Sequence, residues 1–262
     1  MASPRAGMRP YLRSLAGWAW NRQNEAELHG LSLQEETLTE MLLLRIAKEC
    51  RPLGLEVRMF TRDQESRNGA DWEWFFHGPH CAGIGYRVQA KRLFHAGKYR
   101  GQYGSHDPNG SQTATLIAQA GKAKIPIYIF YNNSASAVFN GRSSQGFRGP
   151  SFWGCSYAAA RSVKAAHSRK PSDLVVHMRP WHELFDDCMK STKATVRPSI
   201  GSETGGADGI DGSSPGEEPS SEPEWVQMLE IPEQLEAYMQ QHELAGVAYF
   251  DARDADLDWS IE

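Results

Sequence analysis

The sequence has no CxxC pair, no long apolar run and, through most of its middle third, almost no acidic residue. Each absence excludes something. The four cysteines, Cys50, Cys81, Cys155 and Cys188, are scattered without metal-site or framework spacing, which argues against a cysteine zinc centre and a disulfide scaffold. The longest apolar stretch in a strand-like context, Ile125 to Tyr131, falls far short of the roughly 20 residues that cross a bilayer. Arg5, Arg9 and Arg13 precede a Leu15 to Trp20 stretch too brief and too interrupted for a secretory signal. The expectation is a cytoplasmic protein with reduced thiols and no membrane contact.

The scarcity of acid is one-sided. From His77 to Ser172, Asp107 is the single acidic residue against 13 Lys and Arg, whereas from Gly201 to Glu262 16 acidic residues face only Arg253. A net charge of -4 hides this polarity. A long basic stretch in a soluble chain predicts a polyanionic partner, nucleic acid above all. With 40% hydrophobic and 23% charged residues in 262, the chain is sized for one α/β domain with extensions.

Four regions are expected: an N-terminal extension over 1–31, an α/β domain over 32–192, a disordered linker over 193–223 rich in Gly, Ser, Glu and Pro, and an acidic C-terminal segment over 224–262. Ser32 to Arg51 has apolar residues at helical spacing, with Ser32 as N-cap and Glu35 at N3. Strands are expected at Leu55 to Phe60, Gly69 to Phe76 and Ile84 to Leu93, then a helix from Ser111 to Lys122 and a strand from Ile125 to Tyr131. Farther on, Ser156 to His167 reads as helix, Leu174 to Met178 as a fifth strand and Pro180 to Met189 as a short helix. The acidic segment reads as one or two docking helices. A helical crossover between the third and fourth strands predicts a mixed sheet flanked by helices.

Residues two apart on a strand share a face, so Asp71 and Glu73 emerge together, as do Gln89 and Lys91. If their strands pair, two carboxylates, an amide and an ammonium meet on one patch, and such a set suits Mg²⁺ or Mn²⁺. Phosphodiester hydrolysis needs a Lewis acid, an activated water and positive charge for the transition state. The metal supplies the first two and Lys91 the third.

Gly69-Ala70-Asp71 followed by Gln89-Ala90-Lys91 resembles the D…(D/E/Q)xK signature of the PD-(D/E)xK, or restriction-endonuclease-like, nuclease superfamily, in the Gln-containing form of its Mrr-like branch. The strings GADWEWFF, VQAKRL and PIYIFYN are similar to those of an uncharacterised bacterial family assigned to that class. The resemblance spans about Ser32 to Asn132. It implies an αβββαβ core and a Mg²⁺-dependent deoxyribonuclease of bacterial defence or DNA processing. It further implies Asp71 and Gln89 at the metal, joined by Glu73 and by Glu36 of the first helix with Glu40 in reserve, and Gln112 near the site. Ala70 stands where the signature has proline, and Gln89 costs the site a charge. Arg92, Lys98, Arg100, Lys122 and Lys124 are expected along a nucleic-acid backbone. RNA is chemically as suitable as DNA, and a non-catalytic nucleic-acid-binding module of the same fold is the competing reading. Trp72, Trp74, Phe75 and Phe76 read as core and sheet packing rather than a base-stacking platform, His182 as structural, and His77 to Cys81 as a loop rather than a zinc site.

Overall fold

The computed structural model describes residues 1–61, 71–78, 83–93, 111–139, 146–189 and 222–258, with the backbone alone for Asp71, Ser111 and 187–189. Its strands are β1 (Glu56–Thr61), β2 (Asp71–His77), β3 (Ile84–Arg92), β4 (Lys124–Tyr131), β5 (Cys155–Ala159), β6 (Arg179–Pro180) and β7 (Leu244–Asp251). Its helices are α1 (Met8–Leu28), α2 (Glu35–Cys50), α3 (Ser111–Ala120), α4 (Pro150–Trp153), α5 (Ala160–Ala166), α6 (Pro171–Leu174), α7 (His182–Met189) and α8 (Pro232–Gln241). The protein is α/β, with one seven-stranded mixed sheet in the order β1-β7-β2-β3-β4-β5-β6 and helices on its faces. Among the described residues no helix is long and apolar enough to cross a membrane.

Alternation along the strands sorts the side chains into two layers. Trp72, Trp74 and Phe76 of β2, Tyr86, Val88 and Ala90 of β3, and Ile127, Ile129 and Tyr131 of β4 join Tyr11, Leu12 and Leu15 of α1 and Leu38, Leu42 and Ile46 of α2 in the largest core. The opposite face carries two smaller clusters. Tyr128 and Phe130 pack with Leu116 of α3, Ala160 of α5 and Leu174 of α6. Phe75 packs with Leu235, Tyr238 and Met239 of α8 and with Val247 and Tyr249 of β7. The tryptophans at 72 and 74 are therefore packing residues, as expected. At Gly154 an added Cβ would lie 1.9 Å from the carbonyl oxygen of Ala16, so only glycine lets α1 approach the start of β5.

Both chain ends depart from the expected plan. The N-terminal extension supplies α1, whose Met8, Tyr11, Leu12, Leu15, Ala16 and Ala19 are fully buried. The acidic segment does dock a helix, α8, but it also supplies β7, which lies between β1 and β2. Neither end is an appendage. β7 runs antiparallel to β1 and parallel to β2, and its register slips beside Asp71: Leu244 faces Asp71 while Gly246 faces Trp72. The slip is a bulge. It puts Leu244 and Val247, three apart, in one cluster and Ala245 and Ala248 against the other. The expected linker, 193–223, falls almost wholly outside the described residues.

Three local expectations are corrected. The first helix of the expected domain begins at Glu35, and Gln34 precedes it in extended conformation without a side-chain cap. Glu35, expected in a capping box with Ser32, instead accepts the backbone N–H of Arg92 at 3.4 Å. Residues 155–159 are strand rather than helix, because pairing with β4 from Tyr131 to Ile127 outweighs the helical preference of an alanine-rich segment. The expected strand at Leu174 to Met178 is the end of α6 and a 3₁₀ turn over Val175–His177, and the last strand is the two-residue β6.

Candidate functional site

β2 and β3 pair antiparallel with Asp71 opposite Gln89, Trp72 opposite Val88 and Glu73 opposite Arg87. Directly opposed residues have Cα atoms about 4.5–5.5 Å apart and side chains on one face. Asp71 and Gln89 therefore share a position on the sheet, as the motif requires. Lys91, two residues on, lies on the same face and is half-buried, while Gln89 is buried. On the other side of β3, Tyr128 of β4 is in register with Gln89 and Phe130 with Lys91.

Two helix starts arrive at this end of the sheet. The hydroxyls of Thr113, in the first turn of α3, and Tyr128 are 2.8 Å apart, so the turn carrying half-buried Gln112 lies over the strand beside Gln89. At the α2 start, Glu35 reaches the backbone N–H of Arg92, and the hydroxyls of Thr39 and Tyr131 lie 2.7 Å apart. Burial raises the Tyr131 phenol well above its ordinary range, and the nearby Cys155, Glu35 and Glu36 add to that rise. Glu36, in the first turn of α2, is half-buried, whereas Glu40 is exposed one turn farther on.

Glu73 has a different place from the one expected. It is fully buried, and its Oε1 accepts from Arg87 Nη1 at 2.9 Å and from Lys124 Nζ at 2.6 Å. Its Oε2 accepts from the Tyr238 hydroxyl at 3.1 Å. Two cations and a phenol occupy the carboxylate, so Glu73 is an internal counter-ion rather than a metal ligand. Arg87 Nη2 also donates to Gln119 Oε1 at 2.6 Å and to the His242 carbonyl at 2.8 Å, tying α3 and the end of α8 to β3. The Tyr238 phenol is raised by burial and then by Glu73, while the His242 imidazole is lowered mainly by burial.

The expected nucleic-acid contacts are also redistributed. Arg92 is buried on the α2 side, its Nε 3.9 Å from Glu35, so it does not present charge to solvent. Lys124 is committed to Glu73. Lys122 is exposed, and Lys98 and Arg100 lie outside the described residues, as does most of the expected loop from His77 to Gly83. His182 is buried at the start of α7 with its ring 6.1 Å from that of Phe152, in keeping with a structural role.

The residues that reasoning from sequence missed are Arg87, Tyr238 and Glu35. Arg87 carried a usable signal: a cation two residues before Gln89, in the middle of an apolar strand and on the face of Asp71, needs a buried partner. Tyr238 carried none, because nothing local ties α8 to β2. Among the described residues no group of three or more His, Cys, Asp or Glu is placed to hold a metal ion. The side chain of Asp71 is not among them. Asp71 and Gln89 offer a carboxylate and an amide oxygen, hard donors that Mg²⁺ and Mn²⁺ accept together with water and phosphate. Glu36 belongs to α2, which packs on the opposite face of the sheet, and would have to join them around the strand ends.

The signature of a family of unknown function, DUF6615, matches residues 8–256, from the first residue of α1 to just beyond β7. No curated protein and no solved structure matches the chain.

Proposed function

The chain belongs to the DUF6615 family of unknown function, and we propose that it is a metal-dependent nuclease that hydrolyses DNA phosphodiester bonds inside the cell. The observation that carries this reading is the pairing of Asp71 with Gln89, with Lys91 two residues on along the same face. The chain order α2-β1-β2-β3-α3-β4 is the order that the motif's superfamily implies. Asp71, Gln89 and Glu36 are the residues that would hold Mg²⁺ or Mn²⁺, and the bound ion would polarise the phosphate and activate a water. Gln89 contributes an oxygen donor without charge, so the two carboxylates carry the neutralisation. Lys91, a compact ammonium on the same face, stabilises the extra negative charge of the transition state and orients the scissile phosphate. Glu73 holds Arg87 and Lys124 and stays out of the chemistry.

The test is plasmid nicking with Mg²⁺ or Mn²⁺. Asp71→Ala and Lys91→Ala are each expected to abolish nicking while the unfolding midpoint stays close to that of the parent. Unchanged nicking in either variant overturns the assignment. A parent protein that binds DNA yet nicks neither DNA nor RNA with either metal is the non-catalytic module of the same fold.

A further inference from the structure

From Pro108 to Ser172 the sequence has no acidic residue. The fold gathers cations of this stretch onto α5 and the turn after it, where Arg161, Lys164 and Lys170 are exposed and Arg169 is half-buried. Arg161 and Lys164, three apart, lie on the outer side of α5, while Ala160 is buried and Val163 and Ala166 pack inward. Asp173, the first acid to follow, is taken up by the hydroxyls of Ser168 at 2.6 Å and Ser172 at 2.9 Å. Among the described residues none of the four cations has a carboxylate within ion-pair distance. Five other arginines, Arg22, Arg45, Arg58, Arg179 and Arg253, each lie against a carboxylate.

Topology points this charge toward the candidate site. β5 runs antiparallel to β4 and ends where Ala159 faces Ile127. α5 starts at the next residue and packs back over β4 and β5 beside α3. α3 descends toward the start of β4, so α5 climbs in the opposite direction. This directs its last turn toward the strand end that carries Lys91. Lys122, after the end of α3, is also exposed.

We propose that α5 and the turn to Lys170 form the seat for the sugar-phosphate backbone of a DNA duplex, leading it to the Lys91 end of the sheet. The preference for DNA over an acidic protein rests on the nuclease reading; the presence of an anion-binding surface does not. Ammonium and guanidinium groups outside any close ion pair displace the counter-ions of the phosphates on binding, so the contact is independent of base sequence and steeply dependent on salt.

The experiment is anisotropy of a short labelled DNA duplex in EDTA, where cleavage plays no part, with affinity followed across a salt series. The variant Arg161→Gln/Lys164→Gln/Arg169→Gln/Lys170→Gln is expected to bind at least tenfold more weakly. Its slope of log affinity against log salt should be smaller in magnitude by about 3–4. The pair Lys164→Gln/Lys170→Gln should lose about half of that, which keeps the test valid if the fourfold change impairs folding. A control with Arg5→Gln/Arg22→Gln/Lys48→Gln/Arg51→Gln should keep the parent slope. Equal losses in the control, no duplex binding by the parent, or equally tight binding of polyglutamate each overturn the proposal, the last in favour of an acidic protein partner. Loss of nicking in the Asp71 variant with duplex binding intact separates this surface from the catalytic assignment.

Discussion

Glu73 and Arg87 stand directly opposite each other on β2 and β3, their charged ends 2.9 Å apart and both closed to solvent. Lys124 adds a second cation at 2.6 Å. Burial of such a cluster is tolerable only while every charge has its partner. Glu73→Ala leaves two cations in the interior and is expected to cost about 3–5 kcal/mol in urea unfolding. The double change Glu73→Met/Arg87→Met should cost less than Glu73→Ala alone. A loss below about 1 kcal/mol for Glu73→Ala, the range of an exposed pair, would mean that the network is solvated.

Gln89→Glu tests the ligand set from the other direction. It adds a carboxylate opposite Asp71, so affinity for Mn²⁺ measured by calorimetry should rise about tenfold or more, on the order of 1.4 kcal/mol. An unchanged affinity would remove Gln89 from the metal.

A chain ending at residue 221 lacks α8 and β7. It exposes the inner edges of β1 and β2, strips Phe75 of its cluster and deprives Glu73 of Tyr238. Such a chain is expected to show no cooperative thermal transition and to aggregate through its open edges. A soluble fragment that melts cooperatively would show that the sheet does not depend on β7 between β1 and β2.

His242 provides a pH dependence. Burial holds its imidazole below the ordinary 6.5, with Lys124 and Arg87 acting in the same direction and Glu73 opposing. Between the folded and unfolded values the unfolded chain binds the extra proton, so stability rises with pH there. The contribution is therefore complete above about pH 6.5 and is lost as the pH falls through the lower folded value. The side chain is partly exposed, so the effect is small. In denaturant melts from pH 7.5 to 5, His242→Gln should flatten part of the acid-side decline, and a decline identical to that of the parent would count against it.

Much of the sheet was legible because its residues speak locally. The alternation from Ile84 to Leu93, the apolar run from Ile125 and the small-residue face from Ser111 each identify an element without help from the rest of the chain. The pairing of Asp71 with Gln89 was legible because a short connection favours an antiparallel neighbour. β5 was not, since Ser156-Tyr157-Ala158-Ala159 has no strong strand preference and takes its conformation from β4. β7 was hidden for another reason: Leu244 to Phe250 is an apolar run inside a segment whose overall composition is acidic. Glu73 was misjudged because its partners come from β3, β4 and α8, and that convergence exists only once the sheet is assembled.

The internal strand β7, second from the sheet edge, is synthesised after every other described strand. Until it leaves the ribosome, β1 and β2 have a gap between them as wide as one strand, and Asp71 lacks the neighbour at Leu244 that defines its edge of the ladder. Closure of the sheet therefore rests on contacts of high sequence separation, slow by their topology. A nascent chain carries Asp71, Gln89 and Lys91 long before it carries the strand that aligns them, so the proposed phosphodiesterase chemistry has to await the arrival of β7.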